Sequence, residues 1–158
     1  MKSKIKTYAY CILFTLAVGG LSALLTKGNM DVYKSIEKPS FAPPGWLFPV
    51  VWGVLYVLMG ISLAMILVKG MNVGLYVLPS VRIYGFQLAV NFFWSIIFFN
   101  LRAFLFSFVW LILLWVLVAA MIFKFYQVCR WSAFINIPYF LWVSFAAVLN
   151  YMIYSLNA

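Results

Sequence analysis

The sequence predicts an all-α integral membrane protein, a single domain over residues 1–158 built as a bundle of five transmembrane helices. Three observations carry that expectation. Hydrophobic residues make up 68% of the chain and charged residues only 8%, whereas a soluble domain keeps about 25% charged residues to cover its surface. Mean hydropathy is +1.10. Five apolar runs, at 8–25, 46–68, 81–100, 104–123 and 133–156, approach the roughly 20 residues that cross a bilayer. In hydrocarbon every backbone polar group must be paired internally, and long unbroken runs do this as helices rather than as a closed barrel.

The first run follows Lys2, Lys4 and Lys6 and resembles a secretory signal. Its apolar stretch is long for one, and Thr15, Gly19 and Ser22 share a helical face of small residues suited to packing. It is read as a retained helix. The second run is entered through PSFAPPGWLFPVVWG (residues 39–53). Proline is tolerated in a first helical turn and forces the preceding residue into extended backbone. Regular helix is therefore expected from about Val50, after a stiff loop containing Pro43 and Pro44. Trp46, Tyr126 and Trp131 suit a belt at headgroup depth.

Basic residues set the orientation. Lys2, Lys4, Lys6, Lys69, Arg82, Lys124 and Arg130 fall on one side, and Lys27, Lys34, Lys38 and Arg102 on the other. The larger group marks the cytoplasmic face. The expectation is a multi-pass protein of the cell membrane, N-terminus cytoplasmic, first loop and C-terminus outside. The net charge of +9 is then a topology signal with some attraction for anionic lipid. No nucleic acid is expected as a partner, because the basic residues form no stripe.

Much chemistry is excluded. There is no histidine, and Asp31 and Glu37 are the only acids, so no Ser-His-Asp triad, zinc site or carboxylate pair can be assembled. Cys11 and Cys129 lack redox spacing and are read as reduced and structural. No metal site and no required cofactor are expected. No charge falls in mid-span, which weakens an ion-coupled transporter.

Residues four and seven apart share a helical face. Trp52, Tyr56 and Met59 align on the second span, Gln87, Asn91, Trp94 and Ser95 on the third, and Tyr139, Trp142, Ala146 and Asn150 on the fifth. Buried amides must turn toward partners or a cavity. Either the three faces meet around an aromatic ligand pocket, or the amides bind helices together at roughly 0.6–2 kcal/mol each. Opposite the Gln87 face, Gly85 and Ala89 form a small-residue step. It suits a second protomer or a neighbouring helix of the same chain.

KPSFAPPGWLFPVVWGVLYVLMG (38–60), QLAVNFFWSIIFF (87–99) and PYFLWVSFAAVLN (138–150) together strongly resemble the tryptophan-rich sensory protein, or TspO/translocator protein, family. The resemblance spans all five runs. It implies a five-helix homodimer that binds tetrapyrroles such as protoporphyrin IX, with isoquinoline carboxamide or benzodiazepine-type ligands in eukaryotic members. It implies a pocket drawing on Pro43, Pro44, Trp52, Tyr56, Asn91, Trp94, Tyr139, Trp142 and Phe145, and light- and oxygen-dependent porphyrin degradation at Trp52 and Trp142. With Gln87, Ala146 and Asn150 from the aligned faces, these are the candidate site residues. Two other functions are carried alongside: a transporter or exporter of porphyrins or other apolar cargo, and a stress-sensing membrane regulator. The sequence departs from the family at its end, where no basic residue follows Tyr151 to complete a sterol-recognition pattern. It also departs at Phe108-Val109-Trp110, where relatives often carry an acid.

Overall fold

The computed structural model describes residues 1–158 as helices and connecting turns. Helix α1 (Lys2–Thr26) runs into a 3-10 turn at Lys27–Asn29, and a short α2 (Asp31–Ser35) precedes an extended loop. Then come α3 (Leu47–Val73), α4 (Leu78–Ser95) with a π-helical turn at Ile96–Asn100, α5 (Phe104–Val128), α6 (Arg130–Ile135) and α7 (Ile137–Asn157). Five segments, Lys2–Asn29, Leu47–Val73, Leu78–Asn100, Phe104–Val128 and Arg130–Asn157, are long and apolar enough to cross a membrane.

Each expected span is present, with longer ends. Helix α1 takes in Lys2, Lys4 and Lys6, because a lysine stem can lie along apolar surface while its amine reaches water. Helix α3 starts at Leu47 rather than near Val50. Pro49 is thus the third helical residue, where a missing N–H still loses no intrahelical partner. The last span is interrupted at Asn136, a break that the uninterrupted 133–156 run did not announce. Pro138, in the first turn of α7, has no N–H to offer back to Phe134 and would crowd its carbonyl in a continuous helix. The 3-10-type bond from Asn136 N–H to the Ala133 carbonyl closes α6 instead.

The usual polarity of a globular protein is reversed. Thr15, Ser22, Thr26, Ser62, Gln87, Asn91, Ser107, Ser132, Asn136 and Asn150 are all buried, while Leu13, Phe14, Val54, Phe86, Phe93 and Leu141 are exposed. This is the arrangement expected where lipid is the solvent. Helix α1 packs along α3 and also meets α4; α5 packs against α4, α6 and α7; α3 meets α6. No comparable backbone seam joins α3 to α7. Aromatic side chains span that space, with Phe48 edge-on to Trp142 at 5.9 Å and Trp52 edge-on to Tyr139 at 6.1 Å.

Small residues make the α1–α3 seam. A Cβ on Gly60 would sit 2.6 Å from the Ile12 Cα and 3.0 Å from the Cys11 carbonyl oxygen. Gly19 faces the Tyr56 ring just as closely. Polar contacts fix α1 to α4: Thr15 shares a short hydrogen bond with the Tyr84 hydroxyl, and Ser22 donates to the Phe92 carbonyl at 3.1 Å. Thr15, Gly19 and Ser22 therefore do share a packing face. At the far end, Asn136 donates to Ser62 Oγ at 2.6 Å and Ser62 donates to the Ser132 carbonyl at 2.9 Å, joining α3 to α6.

The Gly60 contact is with backbone, which cannot rotate away. Gly60→Ala should therefore destabilise the bundle by about 1–3 kcal/mol, measured as a lower unfolding midpoint in detergent. Gly53→Ala on the same helix, where an added Cβ meets nothing within 4 Å, should leave the midpoint unchanged or slightly raised. Equal effects of the two substitutions would refute the close-approach account.

Candidate ligand cavity

A cavity of about 470 Å³ lies between α1, the start of α3, the end of α4 with its π turn, and α7. That volume is within the range of small-molecule sites, about 300–1,000 Å³. Two walls are made of small residues, Gly19, Gly20 and Ala23 on α1 and Ala146 on α7; two are aromatic, with Phe48, Trp52 and Tyr56 facing Trp94, Phe98 and Phe99. Side chains too short to fill the bundle centre leave the space, and rigid rings keep it open. The π turn contributes to this. The N–H of Leu101 reaches back to the Ile96 carbonyl at 3.1 Å, and the extra residue in that turn places both Phe98 and Phe99 on the wall.

The rings are held in fixed mutual positions. Trp52 stacks on Tyr56, with centroids 5.6 Å apart and planes 29° from parallel. Trp94 lies 5.4 Å from Phe98, and its indole N–H donates to Asn150 Oδ1 at 3.1 Å. At the end nearest the first loop, Tyr33 packs edge-on to Phe48 at 5.1 Å and donates its hydroxyl to the Pro43 carbonyl at 2.6 Å. Burial pushes the Tyr33 phenol above its usual range, so it remains a donor at neutral pH.

The amides have other occupations. Asn150 is on the wall, but its Oδ1 accepts from Trp94 and from Ser107 and its Nδ2 donates to the Phe104 carbonyl at 2.9 Å. Gln87 and Asn91 do not reach the cavity. Tyr139 donates to Gln87 Oε1 at 2.7 Å, Asn91 Nδ2 donates to the Tyr139 hydroxyl at 2.8 Å, and the Tyr56 hydroxyl donates to Asn91 Oδ1 at 3.3 Å. The reason is depth along α4. Trp94 is three residues beyond Asn91, about 4.5 Å along the axis, so Trp94 meets the cavity while the amides lie beneath its floor. There they join α3, α4 and α7 behind the rings of Tyr56 and Tyr139.

The remaining candidates divide. Pro43 is half-buried and Pro44 exposed; neither lines the cavity, and Pro43 acts on it through Tyr33. Trp142 and Phe145 face a separate apolar groove between α3 and α7, together with Val50, Val54 and Leu141. Helical geometry explains this departure. Tyr139, Ala146 and Asn150 repeat at seven and four residues, whereas Trp142, three residues from Tyr139, is turned about 60° off their line. Phe48 stands between the two concavities, lining the cavity and touching the Trp142 ring. Trp52 thus lines the cavity and Trp142 the neighbouring groove. The Trp142 indole N–H is buried and has no partner.

Sequence reasoning missed Tyr33, Phe48, Phe98 and Phe99, and the α1 wall. The glycine-bearing face of α1 was a usable signal for the wall. Nothing in the periodicity announces the π turn that brings two consecutive phenylalanines onto one side. Gly85 and Ala89 are exposed on the outer face of α4, beside the exposed Phe86 and Phe93.

The fold and the cavity define a helical, multi-pass membrane protein with an aromatic-walled chamber toward the end of the bundle that carries the first loop. Residues 11–156 match the model of the TspO/MBR family, and the chain belongs to that family. It is 37% identical to the tryptophan-rich protein TspO of Chlorobaculum tepidum over 99% of both chains. It is 37% identical to the CrtK protein of Rhodobacter capsulatus over 95% of this chain and 92% of that one. With the translocator protein of Sus scrofa it shares 34% identity over 91% and 88%.

Asn150 ties three helical segments through one amide. Asn150→Leu, which keeps the branching at Cγ and removes every side-chain hydrogen bond, should lower stability by about 1–3 kcal/mol. It should also change Trp94 emission as the indole loses its acceptor. A variant as stable as the parent would return the amide to a passive role.

Proposed function

We propose that the cavity binds a tetrapyrrole of the protoporphyrin IX type, without any required cofactor, and that Trp52 promotes light- and oxygen-dependent degradation of the bound macrocycle. The observation that carries this reading is the cavity wall itself. Flat, rigid rings surround a chamber in which most polar side chains are already hydrogen-bonded, a surface suited to a flat apolar ligand. The same wall suits isoquinoline carboxamide or benzodiazepine-type ligands.

The chemistry comes from the ligand, and the protein orients it. Light makes the macrocycle an electron acceptor. One electron passes from the Trp52 indole to the excited macrocycle and on to dioxygen, leaving an oxidised indole and superoxide to attack the ring. Trp142 is a second oxidisable ring, in contact with Phe48 at the cavity edge.

Two further features belong to this reading. The seven basic residues at one end of the bundle against four at the other favour a cytoplasmic N-terminus, with the cavity and first loop outside. The exposed Gly85–Ala89 face favours a homodimer through α4. In protein whose native cysteines are replaced by serine, Gly85→Cys should form disulfide-linked dimers in membranes. Ser40→Cys should react with an impermeant maleimide added outside cells. Monomeric Gly85→Cys or a protected Ser40→Cys would each reverse the corresponding assignment.

Titration of detergent-solubilised protein with protoporphyrin IX in the dark, followed by illumination with and without oxygen, tests the central proposal. Ala146→Phe, which fills the chamber, should weaken binding roughly tenfold or more. Trp52→Phe should slow bleaching strongly while sparing affinity, and Trp142→Phe should slow it less. Unchanged binding by Ala146→Phe would remove the ligand from this cavity, and unchanged bleaching by Trp52→Phe would remove the indole from the chemistry.

A further inference from the structure

The cavity is lined by a single charged residue, Lys27, at its outer mouth. Of the other cations on this side, Arg102 beside the π turn is exposed and does not line the cavity, and Lys38 and Lys34 have occupations. Lys38 donates to the Ile36 carbonyl at 3.2 Å and to the Tyr33 carbonyl, and lies 4.9 Å from the Tyr33 ring centroid. Lys34 stands 3.8 Å from the Asp31 carboxylate. Lys27 is exposed, with no hydrogen bond or ion pair. Neither acid of the chain lines the cavity, so nothing on the wall neutralises it.

The mouth is also held in place. Lys27 opens the 3-10 turn Lys27–Asn29. Asn29 Nδ2 donates to Asn100 Oδ1 at 2.9 Å, and Asn100 Nδ2 donates to the Leu25 carbonyl at 3.0 Å. The turn that carries the cation is thereby clamped to the π turn that carries Phe98 and Phe99. Below it, the Ser22 and Thr26 hydroxyls are bonded to helix carbonyls, and Trp94 and Asn150 to one another. Among the side chains at the mouth, the ammonium is left free to meet a ligand.

We propose that Lys27 selects ligands that carry a carboxylate on one edge of a flat apolar body, pairing with that carboxylate while the body lies between Trp52 and Phe98. This rests on the tetrapyrrole reading, and it sets the direction of entry: apolar edge inward, acid edge at the mouth. An ammonium–carboxylate hydrogen bond is stronger than a neutral one, and at the headgroup boundary salt weakens it without abolishing it.

The test compares protoporphyrin IX, which has two propionate arms, with its dimethyl ester, which has the same ring and no charge. Both are titrated in an uncharged detergent against the parent protein, Lys27→Gln and Lys27→Arg. The parent should bind the acid about five- to tenfold more tightly than the ester, and this preference should shrink at high salt. Lys27→Gln should bind the two alike, at the parent's affinity for the ester, and Lys27→Arg should keep the preference. Ester affinity itself reports that the Gln variant is folded. An undiminished acid preference in Lys27→Gln would overturn the assignment and leave Lys27 a helix-end residue. Failure of the parent to bind either compound would instead remove the underlying cavity reading. A phospholipid headgroup presents the same negative charge, so phosphatidylglycerol should lower the parent's affinity for the acid toward that for the ester and change nothing in Lys27→Gln; the same loss for acid and ester, or in Lys27→Gln, would place the anion away from Lys27 and overturn the assignment.

Discussion

In lipid a helix gains almost nothing by hiding an apolar face, since the surrounding chains are as apolar as leucine. The bundle therefore depends on the two interactions that hydrocarbon cannot replace, close backbone contact and hydrogen bonds between buried polar groups. Gly60 against the backbone of Ile12 supplies the first. The second is concentrated at four levels: Asn136 with Ser62 and Ser132, Thr15 with Tyr84, the Gln87–Tyr139–Asn91–Tyr56 chain, and Asn150 with Trp94, Ser107 and Phe104. With almost all the glue turned inward, the outside is left to leucine, valine and phenylalanine.

The same economy shapes the cavity. Amides that could have met a ligand instead hold aromatic residues: Asn91 and Gln87 fix two tyrosines, and Asn150 fixes Trp94. Trp52 stacks on one of those tyrosines and meets the other edge-on. A ring supported from behind by a hydrogen-bonded neighbour loses little freedom when a ligand arrives, so less of the binding energy goes into ordering the wall. The buried amides of this protein position the apolar wall.

The fold was legible in the sequence because the signal is long and redundant. Five apolar runs leave few alternatives once water is excluded, and the helices run past them into lysine-bearing ends, as at Lys2–Lys6 and Lys69, or to an earlier start, as at Leu78 ahead of Pro79. The site was legible in part. Trp52, Tyr56, Trp94, Ala146 and Asn150 meet as their spacing implied, because seven- and four-residue steps keep a face aligned. Trp142 and Phe145 drifted away because a three-residue step adds a 60° turn in the same helix. Gln87 and Asn91 share a face with Trp94 but not its depth, and helical-wheel reasoning has no depth coordinate. Phe98 and Phe99 were hidden for a different reason: a π turn changes the period locally, so a reading tuned to 3.6 residues assigns them to different sides.

The missing seam between α3 and α7 has a consequence for how such a chamber could diversify. Between α1 and α3 the helices meet through glycine and backbone, and a change of side-chain size there would push the two helices apart. Between α3 and α7 the partition is side chain alone, chiefly Phe48 with Trp142 behind it. A single smaller residue at position 48 would merge the chamber with the neighbouring groove into one larger space while every backbone contact stayed as it is. Chamber size is therefore adjustable at one partition, without renegotiating the architecture that holds the membrane-spanning helices together.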